Sequence, residues 1–295
     1  MSATRTSAAV SIPHPHQPDT TLVGTLEHSG KTEGKKIALI LHGSGGHKDY
    51  VYQKRLAQRL PVDSFRFDFR GCHESTGTWR EGAIDADIED IQVVVDFLKE
   101  TYAYVVDIIV GHSRGSISAM HWLCTSPDAA SVSAFVNVSS RYRLEKLLDT
   151  AVWLTEESRE LLRTQGYYLW STTVARKPVQ LKVYDGDLER FMKLGDTSIV
   201  WTRFPKGVNV LTVHGLDDAI VPVYDATLWA QAYEQRHPGT HNLHLVEDCG
   251  HNFSKPGQRD ALVAEITRWY ELHRNEQLRT GVWRTVAPED AKGKL

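Results

Sequence analysis

Cysteine is scarce in this 295-residue chain, which has three, at positions Cys72, Cys124 and Cys249. They are odd in number and widely separated, so they give neither the spacing of a zinc site nor a disulfide framework. Scattered cysteines of this kind are typical of proteins that work in a reducing compartment. We therefore expect a cytoplasmic protein with no bound structural metal.

Long apolar runs and a strong charge imbalance are also missing. No segment is apolar over the length that a bilayer span requires, and the N-terminal segment lacks the apolar centre of a secretory signal. The net charge is −3, from 34 basic and 37 acidic residues, so the overall charge does not indicate a nucleic-acid partner. We expect no membrane span and no nucleic-acid binding, and the oligomeric state stays open.

The most informative segment is an apolar run that ends in a turn of small residues. Residues 105–110 are rich in Val and Ile, which predicts a buried strand. Gly111-His-Ser-Arg-Gly115 follows, and residues 117–124 suit a buried helix. Gly-x-Ser-x-Gly between a strand and a helix is the nucleophile-elbow pattern, which makes Ser113 a candidate nucleophile. The alternative is a tight turn in which the serine only caps the helix.

Further strands and helices alternate on both sides of this segment. Buried or alternating strands are predicted at 36–42, 64–68, 132–138, 207–215 and 241–247. Amphipathic helices are predicted at 50–60, 85–99, 225–236 and 261–273. Residues 7–12 and 21–27 predict an N-terminal hairpin. This order predicts an α/β fold with a mostly parallel central sheet and helices on both faces.

A glycine-rich loop, Gly43-Ser-Gly-Gly-His-Lys48, follows the strand at 36–42. Its spacing fits neither of the glycine patterns that cradle phosphates. In a hydrolase with a serine elbow, such a loop supplies one backbone N–H of the oxyanion hole, and the residue after the nucleophile supplies the other. That interpretation assigns the amides of Ser44 and Arg114. A plain turn is the alternative.

The alternation stops between residues 140 and 205. Helical patterns there indicate a small helical cap inserted into the core, which comprises 7–139 and 206–275, with flexible tails at 1–6 and 276–295. The cap region carries the aromatic residues Tyr142, Tyr167 and Trp170. They are candidates for lining an apolar acyl or aryl pocket, or they fasten the cap to the core.

Three loops, each after a predicted strand, carry Ser113, Asp218 and His251. The order serine, acid, histidine is that of the α/β-hydrolase arrangement. The chain resembles α/β-hydrolase superfamily serine hydrolases, and it is most similar to the small-cap feruloyl/cinnamoyl-esterase and serine-aminopeptidase-like branch. The matching segments, in the family's order, are 41–47, 68–75, 111–115, 214–222 and 250–251.

The resemblance implies a catalytic triad of Ser113, His251 and Asp218, with no metal or organic cofactor. The family pattern His-Gly-x-x-Asp-x-x-Val-Pro lands on Asp218, whereas Asp217 lies one residue early and is the weaker candidate. His73 is a weaker candidate for the base.

One residue departs from the resemblance. The feruloyl-esterase relatives often carry Gln after the serine, where this chain has Arg114. Its backbone amide can still donate to an oxyanion. Its guanidinium is expected to pair with an acid near the cap, and binding an anionic acyl chain is the alternative.

The implied activity is hydrolysis of a small-molecule carboxylic ester with an apolar acyl or aryl group. The same scaffold also supports thioesterases, amidases and C–C hydrolases, and non-catalytic ligand-binding proteins.

Overall fold

The computed structural model describes residues 5–150, 154–234, 236–255 and 257–283. The strands are β1 Thr6–Pro13, β2 Thr21–His28, β3 Lys36–Leu41, β4 Asp63–Phe67, β5 Val105–His112, β6 Ala134–Val138, β7 Tyr167–Val174, β8 Lys177–Tyr184, β9 Asn209–Gly215, β10 His241–Val246 and β11 Gly281–Val282. The helices are α1 Gln53–Arg59, α2 Ile84–Tyr102, α3 Arg114–Thr125, α4 Leu147–Thr150, α5 Glu156–Gln165, α6 Asp187–Leu194, α7 Val200–Arg203, α8 Tyr224–Glu234 and α9 Gln258–Arg274.

The central sheet has the strand order β1-β2-β4-β3-β5-β6-β9-β10-β11 within the described residues. Strands β1 and β2 form an antiparallel hairpin, and β2 pairs antiparallel with β4. From β4 to β11 every pairing is parallel. The mostly parallel sheet and the N-terminal hairpin predicted from the sequence are therefore confirmed.

Helices cover both faces of the sheet, because parallel strands joined by helical crossovers bury both faces. On one face, Ile91 of α2, Met120 of α3 and Trp229 of α8 belong to one apolar cluster. On the other face, Leu56 of α1 and Ile266 of α9 belong to a second.

Residues 140–205 form an insertion between β6 and β9. They contain α4 to α7 and also the antiparallel hairpin β7–β8, which was not predicted. An apolar cluster joins Ile117 of the elbow helix to Leu147, Tyr168 and Phe191 of this insertion. The insertion therefore packs directly over the start of α3.

The segment after α9 differs from the expected flexible tail. Gly281 and Val282 form β11 at the edge of the sheet, paired parallel with β10. The Trp283 indole donates to the Glu265 carboxylate at 2.8 Å, so this residue has a partner on α9. Residues 1–4 and 284–295 of the expected tails lie outside the described residues.

Two further features concern the described chain. Cys72, Cys124 and Cys249 carry free thiols. None of the described helices combines the length and apolarity needed to cross a membrane.

The parallel strands bring distant loops to one edge of the sheet. The glycine-rich loop follows β3, the serine follows β5, Asp218 follows β9 and His251 follows β10. In open parallel sheets, ligands bind beyond the carboxyl ends of the strands, and the candidate site lies there.

Candidate active site

Ser113 occupies a strained turn between β5 and α3. Its backbone has φ 53° and ψ −121°, a conformation that is costly for a residue with a side chain. A Cβ at Gly111 would collide with the Ser116 backbone, and one at Gly115 would collide with the His42 carbonyl oxygen. The two glycines therefore permit the close approach of strand and helix that holds the serine above the sheet.

Asp218 and His251 are hydrogen-bonded. His251 Nδ1 lies 2.8 Å from Asp218 Oδ2, and the other carboxylate oxygen accepts from the backbone N–H groups of Ile220 and Val221 at 2.9 and 2.8 Å. His251 and Ser113 line the same cavity. No hydrogen bond joins Ser113 Oγ to His251 in the described part of the chain, and catalytic pairs often tighten such contacts only with substrate bound.

A second histidine also contacts Asp218. His214 Nε2 lies 2.9 Å from the Val221 carbonyl oxygen and 3.3 Å from Asp218 Oδ2. Although burial alone would raise the pKa of Asp218, the hydrogen bonds from His214 and His251 hold it below its usual value. Asp218 is thus ionised and fixed in orientation, whereas the neighbouring Asp217 is exposed.

The residues predicted to supply the backbone amides of an oxyanion hole line the same cavity as the serine. Arg114 is the first residue of α3, and the first N–H groups of a helix have no partner within it. Ser44 follows β3 and lines the cavity together with Gly43, Ser113 and Arg114. A helix N-terminus also favours negative charge, so this region suits a developing oxyanion.

The Arg114 side chain is buried and paired with acids. Its Nε donates to Asp87 Oδ2 at 2.6 Å, and its Nη1 donates to the Glu81 carbonyl oxygen and lies 3.5 Å from Glu81 Oε2. Although burial would lower the pKa of Arg114, Asp87 and Glu81 raise it overall. The guanidinium therefore has the ion-pair contacts expected from the sequence, with acids from α2 and the loop before it.

A cavity of about 310 Å³ opens beside the serine. The insertion contributes Leu147, Tyr168, Trp170, Val183 and Phe191 to its lining, and the core contributes Ile117, Glu81, Ser113 and His251. This volume is at the small end of ligand pockets. The lining combines apolar side chains with polar and charged ones, among them Arg114, Arg141 and Asn252. The cavity suits a small molecule.

The three aromatic candidates for substrate contact are placed differently. Trp170 lines the cavity, while Tyr142 and Tyr167 are not among the described residues that do. The Tyr142 hydroxyl is 2.6 Å from Trp201 Nε1, and the Tyr167 ring lies under the Lys182 ammonium. Tyr168 lines the cavity instead, because neighbouring residues of a strand point to opposite faces.

Glu81 is a cavity residue that the sequence did not indicate, since it lies in a loop without a recognisable motif. Its carboxylate is buried, and its side-chain contacts, with Ser44 Oγ at 3.4 Å and Arg114 Nη1 at 3.5 Å, are long. Burial raises the pKa of Glu81 to about 7, and the nearby Arg114 charge limits the rise.

His112 and Asn252 connect the elbow to the histidine loop. His112 Nε2 lies 3.3 Å from Asn252 Oδ1, and the His112 ring lies 5.2 Å from that of His251. Burial, and then repulsion from His251, lower the pKa of His112 to about 3. His112 is therefore neutral and adds no charge between the serine loop and the histidine loop.

One group of three described side chains has the geometry to hold a metal ion: Asp68, His73 and Glu74. The Lys48 ammonium already contacts both carboxylates, at 2.7 Å from Asp68 Oδ2. His73 is exposed and is not among the described cavity residues.

Comparison with known proteins agrees with this fold. The alpha/beta hydrolase family matches residues 38–265. The chain belongs to the alpha/beta hydrolase family. Within curated proteins, it is 28% identical over 266 residues to the uncharacterised Saccharomyces cerevisiae protein YDL057W, covering 81% of this chain and 77% of that protein.

Solved structures show the same architecture. Est1E from Butyrivibrio proteoclasticus superposes with a TM-score of 0.65 at 16% identity, covering 90% of this chain and 99% of that one. The Pyrococcus furiosus esterase Pf2001 gives a TM-score of 0.64 at 15% identity, covering 90% of each chain. At these identities the similarity concerns the fold.

Proposed function

We propose that this protein is a serine hydrolase that cleaves carboxylic esters through an acyl-enzyme on Ser113. The observation that carries the proposal is the Asp218–His251 hydrogen bond, in a cavity that His251 shares with a serine on a strained elbow. Family membership supports a hydrolase, and the site supplies the reason for choosing serine chemistry.

In the proposed mechanism, Ser113 Oγ attacks the ester carbonyl while His251 Nε2 takes its proton. Asp218 fixes the tautomer of the imidazole, with its proton on Nδ1, and stabilises the imidazolium. The backbone amides of Ser44 and Arg114 stabilise the oxyanion. His251 then protonates the leaving alcohol, and water deacylates the enzyme by the same steps in reverse order.

We further propose that residues 140–205 act as a cap that selects the acyl or aryl group. The cap supplies Leu147, Val183 and Phe191 to the cavity lining. It is attached to the core by the ion pairs of Arg80 with Asp187 and of Arg190 with Asp85. These apolar side chains favour esters with apolar substituents at the cap side of the cavity.

Turnover of p-nitrophenyl acetate tests the activity, with the variant Ser113→Ala and the control Ser171→Ala, which changes an exposed serine of the cap hairpin. We expect wild type and the control to turn over and Ser113→Ala to lose nearly all activity. Full turnover by Ser113→Ala would refute the mechanism. A parallel set of matched oxygen esters, thioesters and amides identifies the leaving atom, and a preference for thioesters or amides would contradict the ester assignment.

A further inference from the structure

A buried histidine lies behind the proposed triad. His214 belongs to β9, its side chain is fully buried, and it is not among the described residues that line the cavity. Its Nε2 lies 2.9 Å from the Val221 carbonyl oxygen and 3.3 Å from Asp218 Oδ2. The proposed mechanism gives this side chain no step, although it contacts the proposed acid.

The Val221 carbonyl oxygen determines where His214 carries a proton. A carbonyl oxygen can only accept a hydrogen bond, so the donor is the N–H at His214 Nε2. The same N–H faces Asp218 Oδ2, which also accepts from His251 Nδ1 at 2.8 Å. Although burial raises the pKa of Asp218, the hydrogen bonds from the two histidines hold it below its usual value. One carboxylate oxygen is therefore shared by two imidazole donors.

The hydrogen bond to Val221 also closes the loop that carries Asp218. Leu216 and Ile220 of this loop are 42% and 39% exposed, so apolar packing does little to hold them in place. His214 lies before the loop and binds the Val221 carbonyl oxygen at its far end, while the Val221 N–H donates to Asp218 Oδ1 at 2.8 Å. The imidazole thus joins the two ends of the loop, and the acid lies between them.

The same end of β9 contacts the loop that carries His251. A Cβ at Gly215 would lie 2.2 Å from the Cys249 carbonyl oxygen, and the Asp217 N–H donates to that oxygen at 2.9 Å. A change in the position of His214 would therefore act on both loops, and so on the distance between the acid and the base.

We propose that His214 is a positioning residue of the triad, which fixes the Asp218 loop and competes with His251 for the Asp218 carboxylate. The inference rests on the proposed ester hydrolysis. A second donor on Oδ2 draws part of the carboxylate's charge away from His251, so the His251 imidazolium is less stabilised than it would be with Asp218 to itself. His214 therefore extends the activity toward lower pH.

Other titratable and charged groups surround this pair, and replacing His214 leaves them in place. They are Tyr50 before α1, His112 of β5, Arg141 after β6, Asp217 after β9, Asp225 of α8, and Asp248, Cys249 and Lys255 after β10. Burial, and then repulsion from His251, lower the pKa of His112 to about 3, so it is neutral. The charge of Arg141 interacts with those of Asp225 and Asp218. A shift that appears only when His214 is changed therefore reports on His214.

The test measures kcat/KM for p-nitrophenyl acetate against pH, with product followed at the isosbestic wavelength of p-nitrophenol. His214→Met removes the donor, and we expect it to lower kcat/KM about tenfold, as the loss of one buried hydrogen bond allows. The midpoint of the acid limb, which reports the free enzyme, should rise by roughly half a pH unit. His214→Gln keeps an N–H donor and should restore much of both quantities.

His241 supplies a matched control. It is buried in the neighbouring strand β10, with Nε2 3.0 Å from Thr212 Oγ1, and it is not among the described cavity residues. His241→Met should lower the stability in urea, as His214→Met does, but leave the midpoint unchanged. A midpoint does not depend on the folded fraction, so it separates positioning from stability. If His214→Met does not fold, His214→Asn takes its place, since its side chain is too short to keep this donor at Asp218.

An unchanged or lower midpoint in His214→Met, an equal shift in His241→Met, or a midpoint in His214→Gln as high as in His214→Met would overturn the role of His214. Each of these results leaves the ester hydrolase intact. Absence of turnover by wild type, or full turnover by Ser113→Ala, would contradict the proposed function itself.

Discussion

The Asp218 carboxylate lies 2.8 Å from His251 Nδ1 and also accepts two backbone N–H groups. We expect Asp218→Asn to lower kcat by on the order of a thousandfold or more, because the amide favours the wrong histidine tautomer. The adjacent Asp217 offers a matched control, since it is exposed. Steady-state kinetics of both variants check this, and equal losses in Asp217→Asn and Asp218→Asn would contradict the assignment of the acid.

The proposed oxyanion hole depends on a backbone amide of Ser44 and not on its side chain. Ser44→Ala keeps the N–H and should retain most of the activity. Ser44→Pro removes that donor and should lower kcat on the order of a hundredfold. Circular dichroism establishes that both variants fold, and a large loss of kcat in Ser44→Ala would show that the hydroxyl, not the amide, matters.

Arg114 should matter for stability as well as for its backbone amide. Arg114→Met leaves the buried carboxylates of Asp87 and Glu81 without their partner. Breaking a buried pair in this way costs about 3–5 kcal/mol. The exposed pair of Arg190 and Asp85 is the comparison, and Arg190→Met should cost less than about 1 kcal/mol. Urea unfolding of both variants measures the difference, and equal free energies of unfolding would exclude the buried pairing.

The raised pKa of Glu81 predicts a pH dependence of stability. Folding raises this pKa from 4.5 to about 7, so the folded state favours the protonated carboxyl. The stability that Glu81 contributes is complete below the unfolded pKa and is lost as pH rises through the folded one. The loss is up to about 3 kcal/mol.

The variant Glu81→Gln stays neutral and should lack this part of the pH dependence. Urea unfolding at several pH values between 4.5 and 7 gives the slope of the unfolding free energy against pH for wild type and variant. The exposed Glu271 supplies the control variant Glu271→Gln, which should keep the wild-type slope. Identical slopes in all three proteins would mean that Glu81 does not titrate as its burial requires.

Much of the fold was predictable because strand and helix periods are local properties of the sequence. The buried strand before Ser113 and the helix after it can be predicted from residues 105–124 alone. The strands before Asp218 and His251 can likewise be predicted from their own segments of the sequence. The assignment of the triad stays a prediction until it is tested chemically.

The cap was less predictable. Seven of the sixteen residues in the hairpin β7–β8 are exposed, so its apolar alternation is weak. The sequence analysis also chose Tyr167 rather than Tyr168 as a pocket residue. Which face of a strand points toward the pocket depends on the register of the strand against the core. Glu81 could not have been found, because its burial depends on the cap and on Arg114, which are distant in sequence.

The most direct test of the proposed nucleophile is the intact mass of the protein after reaction with a fluorophosphonate, followed by peptide mapping. We predict a single adduct on Ser113 in wild type and none in Ser113→Ala, with Ser171→Ala labelled like wild type. An adduct on a different serine, or equal labelling of Ser113→Ala, would contradict the nucleophile that the whole mechanism requires.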